Sequence, residues 1–190
     1  MEIVPAADTI RHVIASNTLL TANHPWYIDG WVYVANEATL RMEAGAVIRI
    51  LPTAIDKDNG RHSGGLIITR GARIYAAGTA TLPVRIITDS SVNNGASGII
   101  VLGKAPVEKK ELMADNPEAL SSSNLAYGGN ASNDSSGVIK HLNIDYYPAT
   151  GNGFKGGLLL LGTGRKTVTG NVILRELPVK KHALKTAGLR

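Results

Sequence analysis

The sequence predicts an all-β protein, a right-handed parallel β-helix (solenoid) with long loop insertions and a short terminal cap or tail. Two similar units follow one another, each made of three short β-rich segments separated by Gly, Ala, Asn or Pro. The region that repeats lacks the 3.6-residue apolar period of a helix. Repeats of about 35 residues are typical of solenoids, propellers and arrays, and β-rich segments favour the β solenoid.

The two units begin at Gly30 and Gly65, and a third is expected from Gly98. The β-rich segments cover residues 30–34, 38–42 and 46–50 in the first unit, and 65–69, 72–76 and 84–88 in the second. Aliphatic residues alternate with Arg41 and Arg49, which predicts that both arginines face outward. The segment after Gly98 is apolar on both faces, as expected of a strand that is covered on both sides.

Three more strands are predicted downstream, at residues 137–146, 157–161 and 168–177. The first of them needs a bend near His141, because Ile139 and Leu142 do not fit one strict alternation. A short helix is predicted within 108–120. The Ser-, Asn- and Gly-rich residues 121–136 predict a loop.

We expect one β-helix domain over residues 1–178, with 1–29 as an N-terminal cap that leads into the first coil and 108–136 as a loop excursion. A length of 190 residues is typical of one domain. Residues 179–190 are expected to form a basic C-terminal tail or cap. The net charge of +5 comes from residues 165–190, which hold seven Lys or Arg and one Glu. The rest is near neutral, so no nucleic-acid partner is expected.

Several classes of site lack the residues that they need. The chain has no Cys, so it has neither a disulfide framework nor a Cys-ligated zinc. No apolar run approaches the roughly 20 residues of a membrane span. The five His show no metal-binding spacing, and the polar stretch 130–136 has a single carboxylate, Asp134. We therefore expect no metal and no cofactor, and turns rather than a calcium site at 130–136.

The serial order of several segments resembles a family of exported bacterial right-handed β-helix proteins that is common among Bacteroidetes and often of unassigned function. The matching segments are 27–34, 38–48, 65–74, 98–106 and 127–137. The resemblance covers roughly residues 17–164 and implies an extracellular or cell-surface location. It supplies no catalytic residues. The chain departs from the family at 96–98, where Ala-Ser-Gly stands in place of Trp-Gly-Gly, and it stops soon after Leu177.

The function expected from these features is a non-enzymatic structural or adhesive β-helix module of an exported bacterial protein. No catalytic residue is assigned, because no Gly-x-Ser-x-Gly or metal motif is present. Carbohydrate binding is the further expectation, with a polysaccharide or cell-surface partner. Aromatic side chains that could stack on sugars are Trp26, Trp31, Tyr33, Tyr146 and Tyr147. Packing in the core or a cap is the alternative role for these side chains.

Two other functions remain open. A polysaccharide-active β-helix enzyme, a lyase or hydrolase, would draw on Asp145, Lys140 and Arg175, although glycoside hydrolysis needs paired carboxylates. A self-assembling solenoid module is the other, because the ends of a solenoid leave strand edges unpaired. A tail after Pro178 that leaves the last coil uncapped would allow such end-to-end association.

Overall fold

The structure is a computed structural model that describes residues 8–54, 62–89, 94–107, 125–149 and 154–178. The described strands are β1 (Thr9–Ile14), β2 (Thr18–Leu20), β3 (Trp26–Val34), β4 (Thr39–Met42), β5 (Val47–Leu51), β6 (Thr53–Ala54), β7 (His62–Ile68), β8 (Arg73–Ala77), β9 (Val84–Thr88), β10 (Asn94–Leu102), β11 (Gly137–Tyr146), β12 (Gly157–Leu161) and β13 (Val168–Glu176). The described residues contain no α-helix. The helix predicted within 108–120 and the tail 179–190 lie outside them.

Each turn of the chain crosses three parallel sheets. Sheet 1 contains the second half of β3 with β7, β10 and β12. Sheet 2 contains β2, β4 and β8 with the first parts of β11 and β13. Sheet 3 contains the first parts of β1 and β3 with β5, β9 and the second parts of β11 and β13. The ladders between coils are parallel, which confirms the predicted β-helix, and the short β6 pairs antiparallel with β7.

Some strands turn a corner of the coil through a single left-handed residue. His12 has φ 62° in β1, Gly30 has φ 67° in β3, His141 has φ 46° in β11 and Asn171 has φ 52° in β13. Asn and His are among the side chains that tolerate this conformation best. The Asn171 side-chain nitrogen lies 3.4 Å from Nε2 of His141 in the preceding coil. The predicted bend near His141 is therefore confirmed, and it carries β11 from sheet 2 to sheet 3.

The alignment between the first two predicted units is wrong by one residue. Trp31, rather than Gly30, pairs with Gly65, and Gly65 pairs in turn with Gly98. Gly30 serves the corner, so the strand of sheet 1 begins one residue later. Gly65 is needed for a different reason: it allows the backbone of the next coil to approach closely. A Cβ at this position would lie 2.0 Å from the carbonyl oxygen of Gly98. The sequence alone does not distinguish these two uses of glycine.

Aliphatic side chains fill the space enclosed by the three sheets, here called the inner core. One column of the inner core runs through Val32, Leu66, Ile99 and Leu158, which pair in successive coils of sheet 1. A second apolar group, the outer cluster, covers the opposite face of sheet 1. Its buried members are Ile67, Ala96, Ile100, Leu102, Leu125 and Phe154. The strand after Gly98 is thus buried on both faces, as predicted.

Candidate functional site

A groove of about 560 Å³ lies on the outer surface of sheet 3. One row of its floor pairs Val47 with Arg85, Arg85 with Asn143, and Asn143 with Ile173. The turn at residues 81–83 also lines the groove. The row joins four strands from successive coils, so its residues are far apart in sequence and adjacent in space. Strand alternation points all of these side chains away from the inner core.

A second row of the groove holds an ion pair. Asp145 pairs in register with Ile87 on one side and with Arg175 on the other. Nε of Arg175 donates a hydrogen bond to Oδ1 of Asp145 at 2.9 Å, and a second guanidinium nitrogen donates to Oδ2. The hydrogen bond to Asp145 raises the pKa of Arg175, so this arginine stays cationic. Asp145 is therefore a carboxylate acceptor held in a bidentate pair.

Arg85 differs from the other arginines on sheet 3. Arg11 donates to Asp29 at 2.6 Å, and Nε of Arg49 donates to Asp89 at 3.2 Å. The hydrogen bond to Asp89 is the main cause that raises the pKa of Arg49. Among the described residues, Arg85 has no such partner and its side chain is exposed. Its guanidinium donors are available to a ligand in the groove.

The groove combines the features of a site for a polar ligand with apolar faces. Arg85 and Asn143 supply donors beside one another, and Asp145 supplies an acceptor. Aliphatic side chains lie between these polar groups, among them Ile87 and Ile173. Concave sites with a few convergent polar groups are typical of small-molecule sites. Among the described residues that line the groove, Asp145 is the only carboxylate, whereas hydrolysis of a glycosidic bond uses two.

Two of the predicted aromatic residues lie together on sheet 1. Trp31 and Tyr33 are half-buried and pack on the outer cluster. Nε1 of Trp31 donates a hydrogen bond to Oγ of Ser63 at 2.8 Å, and its ring lies edge-on to Phe154 with centroids 6.0 Å apart. Tyr33 pairs in register with Ile67. These contacts orient both rings on a face separate from the groove.

The other three predicted aromatic residues lie elsewhere. Trp26 packs against the inner core, and its Nε1 donates to the carbonyl oxygen of Thr21 at 3.0 Å. Tyr146 is 8% exposed and donates its hydroxyl hydrogen to Oε1 of Glu176 at 3.1 Å. Burial, and then this hydrogen bond, raise the pKa of Tyr146. Tyr147 is half-buried. The five residues therefore do not form one binding surface.

Residues 12–176 match the model of a family described as a pectate-lyase-like β-helix domain. The chain belongs to this family. The match spans nearly all of the described coils, from β1 to the end of β13. No curated protein and no solved structure shows significant similarity to the chain.

Sequence reasoning missed the two donors at the centre of the groove in this pectate-lyase-like domain. Neither Arg85 nor Asn143 was singled out from the sequence as a binding residue. Asp145 and Arg175 were named for the enzyme alternative, and the structure joins them directly. Lys140, named with them, precedes the corner residue His141 and lies on sheet 2. Proximity of Arg85 to Asn143 depends on coil-to-coil register, which strand alternation does not reveal.

Two further observations concern metals and membranes. Within the described ranges, no three His, Asp or Glu side chains lie close enough together to hold a metal ion. Oδ2 of Asp134 accepts a hydrogen bond from the backbone N–H of Lys104 at 3.0 Å, which joins two turns.

No helix in the described part of the chain is long and apolar enough to cross a bilayer.

Proposed function

We propose that this chain is a non-enzymatic carbohydrate-binding module with a structural or adhesive role in an exported bacterial protein. The groove on sheet 3 is the binding site. The observation that carries the proposal is Arg85, an arginine without a described carboxylate partner in a groove whose other arginine, Arg175, is paired. An exposed, unpaired guanidinium beside the Asn143 amide presents several donors to a ligand.

The shape of the groove supports a chain-like ligand. Its floor crosses four strands of sheet 3 that are about 4.8 Å apart. Apolar side chains such as Val47 and Ile173 lie at the ends of the row that contains Arg85 and Asn143. A polysaccharide presents hydroxyl groups at its edges and apolar C–H surfaces on its ring faces. The alternation of polar and aliphatic groups in the groove complements both features.

Replacement of Arg85 by Gln tests this proposal. We expect the affinity for the bound polysaccharide to fall about 10- to 100-fold, because charge-assisted hydrogen bonds contribute about 1.5–3 kcal/mol each. Affinity electrophoresis against a panel of neutral and acidic polysaccharides identifies the ligand, and titration calorimetry measures the change. Arg165→Gln is the matched control, because Arg165 is exposed and lies in the turn before β13, away from the groove.

Two results would count against the binding site. One is a panel in which no polysaccharide binds; the other is an equal loss of affinity in the Arg85 and Arg165 variants. The same panel addresses the enzyme alternative, which the description of the family leaves equally open. If the wild-type protein releases shorter chains or unsaturated ends, the conclusion would be that it is a polysaccharide-active enzyme rather than a binding module.

Self-association is a second candidate function, and the last coil favours it. Leu174 continues the column of Ile144, which is fully buried, yet Leu174 is 46% exposed. Within the described residues, β13 pairs with β11 alone, so its other edge is open. An uncovered apolar column beside an open edge is a surface on which a second copy can stack.

Light scattering tests this second candidate. We expect the protein without residues 179–190 to associate as its concentration rises, because Leu174 is exposed and the edge of β13 is then accessible to a second copy. The substitution Leu174→Asp in the same shortened protein is expected to restore the monomer, since a carboxylate there cannot be buried against an apolar column. A strict monomer both with and without residues 179–190 would rule out association through this end.

A further inference from the structure

The outer surfaces of sheets 2 and 3 differ in how their charged side chains are paired. On the outer surface of sheet 3, three arginines pair with aspartates of neighbouring coils. On the outer surface of sheet 2, Arg41, Arg73 and Lys140 are exposed and have no carboxylate partner among the described residues. The strands of sheet 2 contribute no Asp or Glu to this surface. The outer surface of sheet 2 is therefore basic, although the chain before residue 165 is nearly neutral in net charge. We call this surface the basic face.

Within the described part of the chain, these cations contact aromatic and carbonyl groups rather than carboxylates. The guanidinium of Arg41 lies 4.4 Å from the ring centroid of Tyr75. Nε of Arg73 donates to the backbone carbonyl of Ser135 at 3.3 Å. Glu43, which follows β4, accepts a hydrogen bond from the backbone N–H of Ala22 at 2.9 Å. Aromatic and carbonyl contacts orient a cation without neutralising it.

The cations recur from coil to coil. Arg41 lies on β4, Arg73 on β8 and Lys140 on β11, and the exposed Lys166 precedes β13. Successive coils are about 4.8 Å apart, so the basic face extends along the helix axis. The central row of this face pairs Leu19 with Arg41, Arg41 with Tyr75, Tyr75 with Val138, and Val138 with Val168. Its two ends are apolar and exposed, Leu19 at 48% and Val168 at 38%.

We propose that the outer surface of sheet 2 docks on an anionic phospholipid bilayer. Five adjacent strands present its side chains on one broad surface, which can meet many headgroups at once. Cations near such a membrane each add to the attraction, and the exposed Leu19 and Val168 can enter the interface. A nucleic acid fits less well, because Arg41 already covers the ring of Tyr75 on which a base would stack. This docking goes beyond saccharide binding and uses a different face from the groove.

Vesicle co-sedimentation tests the proposal with the full chain. We expect binding to vesicles of phosphatidylcholine and phosphatidylglycerol, little binding to phosphatidylcholine alone, and weaker binding as salt rises. The variant Arg41→Gln with Lys140→Gln is expected to bind the anionic vesicles about 25-fold more weakly, at about fivefold for each cation. The control variant, Arg11→Gln with Lys155→Gln, removes the same charge from exposed positions off sheet 2 and is expected to retain most of the binding.

Three results would overturn the docking surface. The first is an absence of binding to anionic vesicles. The second is an equal loss in the two double variants, which would make net charge the cause. The third is binding to soluble heparin or DNA without binding to vesicles, which would assign the face to a linear polyanion. None of these three results depends on the groove of sheet 3. The variant with Arg41→Gln and Lys140→Gln is expected to keep its affinity for polysaccharide.

Discussion

Replacing Gly98 by Ala is expected to lower the free energy of unfolding by at least about 4 kcal/mol, or to prevent folding. Gly98 has φ 145°, which an L side chain rarely adopts. Its Cβ would lie 2.0 Å from the carbonyl oxygen of Gly157 in the next coil. The three nearest atoms are all backbone atoms of Gly157 rather than a flexible side chain, so relief requires the coils of sheet 1 to separate. Urea denaturation followed by circular dichroism measures the change.

Gly170→Ala is the matched control for this prediction. Gly170 also lies in a strand, but the nearest heavy atom to an added Cβ is Cγ of Lys140 at 3.9 Å. We expect a change within about 0.5 kcal/mol, with a small gain from the less flexible unfolded chain. A Gly98 variant as stable as the Gly170 variant would contradict the pairing of Gly98 with Gly157, and with it the stacking of sheet 1.

Replacing Ile48 by Ala is expected to cost about 2–5 kcal/mol of unfolding free energy. Ile48 is fully buried in the inner core and pairs with Ile86 in the next coil. Truncation removes apolar contacts and leaves a cavity that rigid strands on three sides cannot close. The loss should appear as a lower denaturant midpoint with an unchanged slope, because the same surface is exposed on unfolding.

Ile173→Ala provides the comparison on the same sheet. Ile173 faces outward and is 60% exposed, so its truncation removes little buried surface. The expected change is within about 0.5 kcal/mol. Equal costs for the Ile48 and Ile173 variants would mean that the inward and outward faces of sheet 3 are assigned incorrectly. Any effect of Ile173→Ala on polysaccharide affinity is separate, because this side chain lines the groove.

The strands themselves were predictable because each carries a local signal. Alternation placed Arg41 and Arg49 outward, and the break in alternation around His141 predicted a bend that the left-handed His141 supplies. The alignment of Gly30 with Gly65 failed for a conformational reason. Gly30 adopts the left-handed conformation at a corner, whereas Gly65 allows the next coil to approach closely. Both positions require glycine, so the residue type does not distinguish them.

The groove was much less predictable than the strands. Its central pair, Arg85 and Asn143, comes from strands separated in sequence by two crossings of the coil. Exposure of aromatic residues was the basis for proposing Trp26 and Tyr146, yet both pack against the inner core in the structure. Aromatic side chains serve packing and recognition equally well, so residue type does not separate the two roles.

The amino-acid sequence by itself determined the β-rich segments, their order and the aliphatic residues that face inward, because these follow from a period of two along each strand. The tertiary structure alone decided which side chains meet between coils. It paired Arg175 with Asp145, and among the described residues it left Arg85 and the cations of sheet 2 without a carboxylate partner. The physical reason is that coil-to-coil neighbours depend on where each corner turns and on the loops between strands. A shift of one residue exchanges the inward and outward faces.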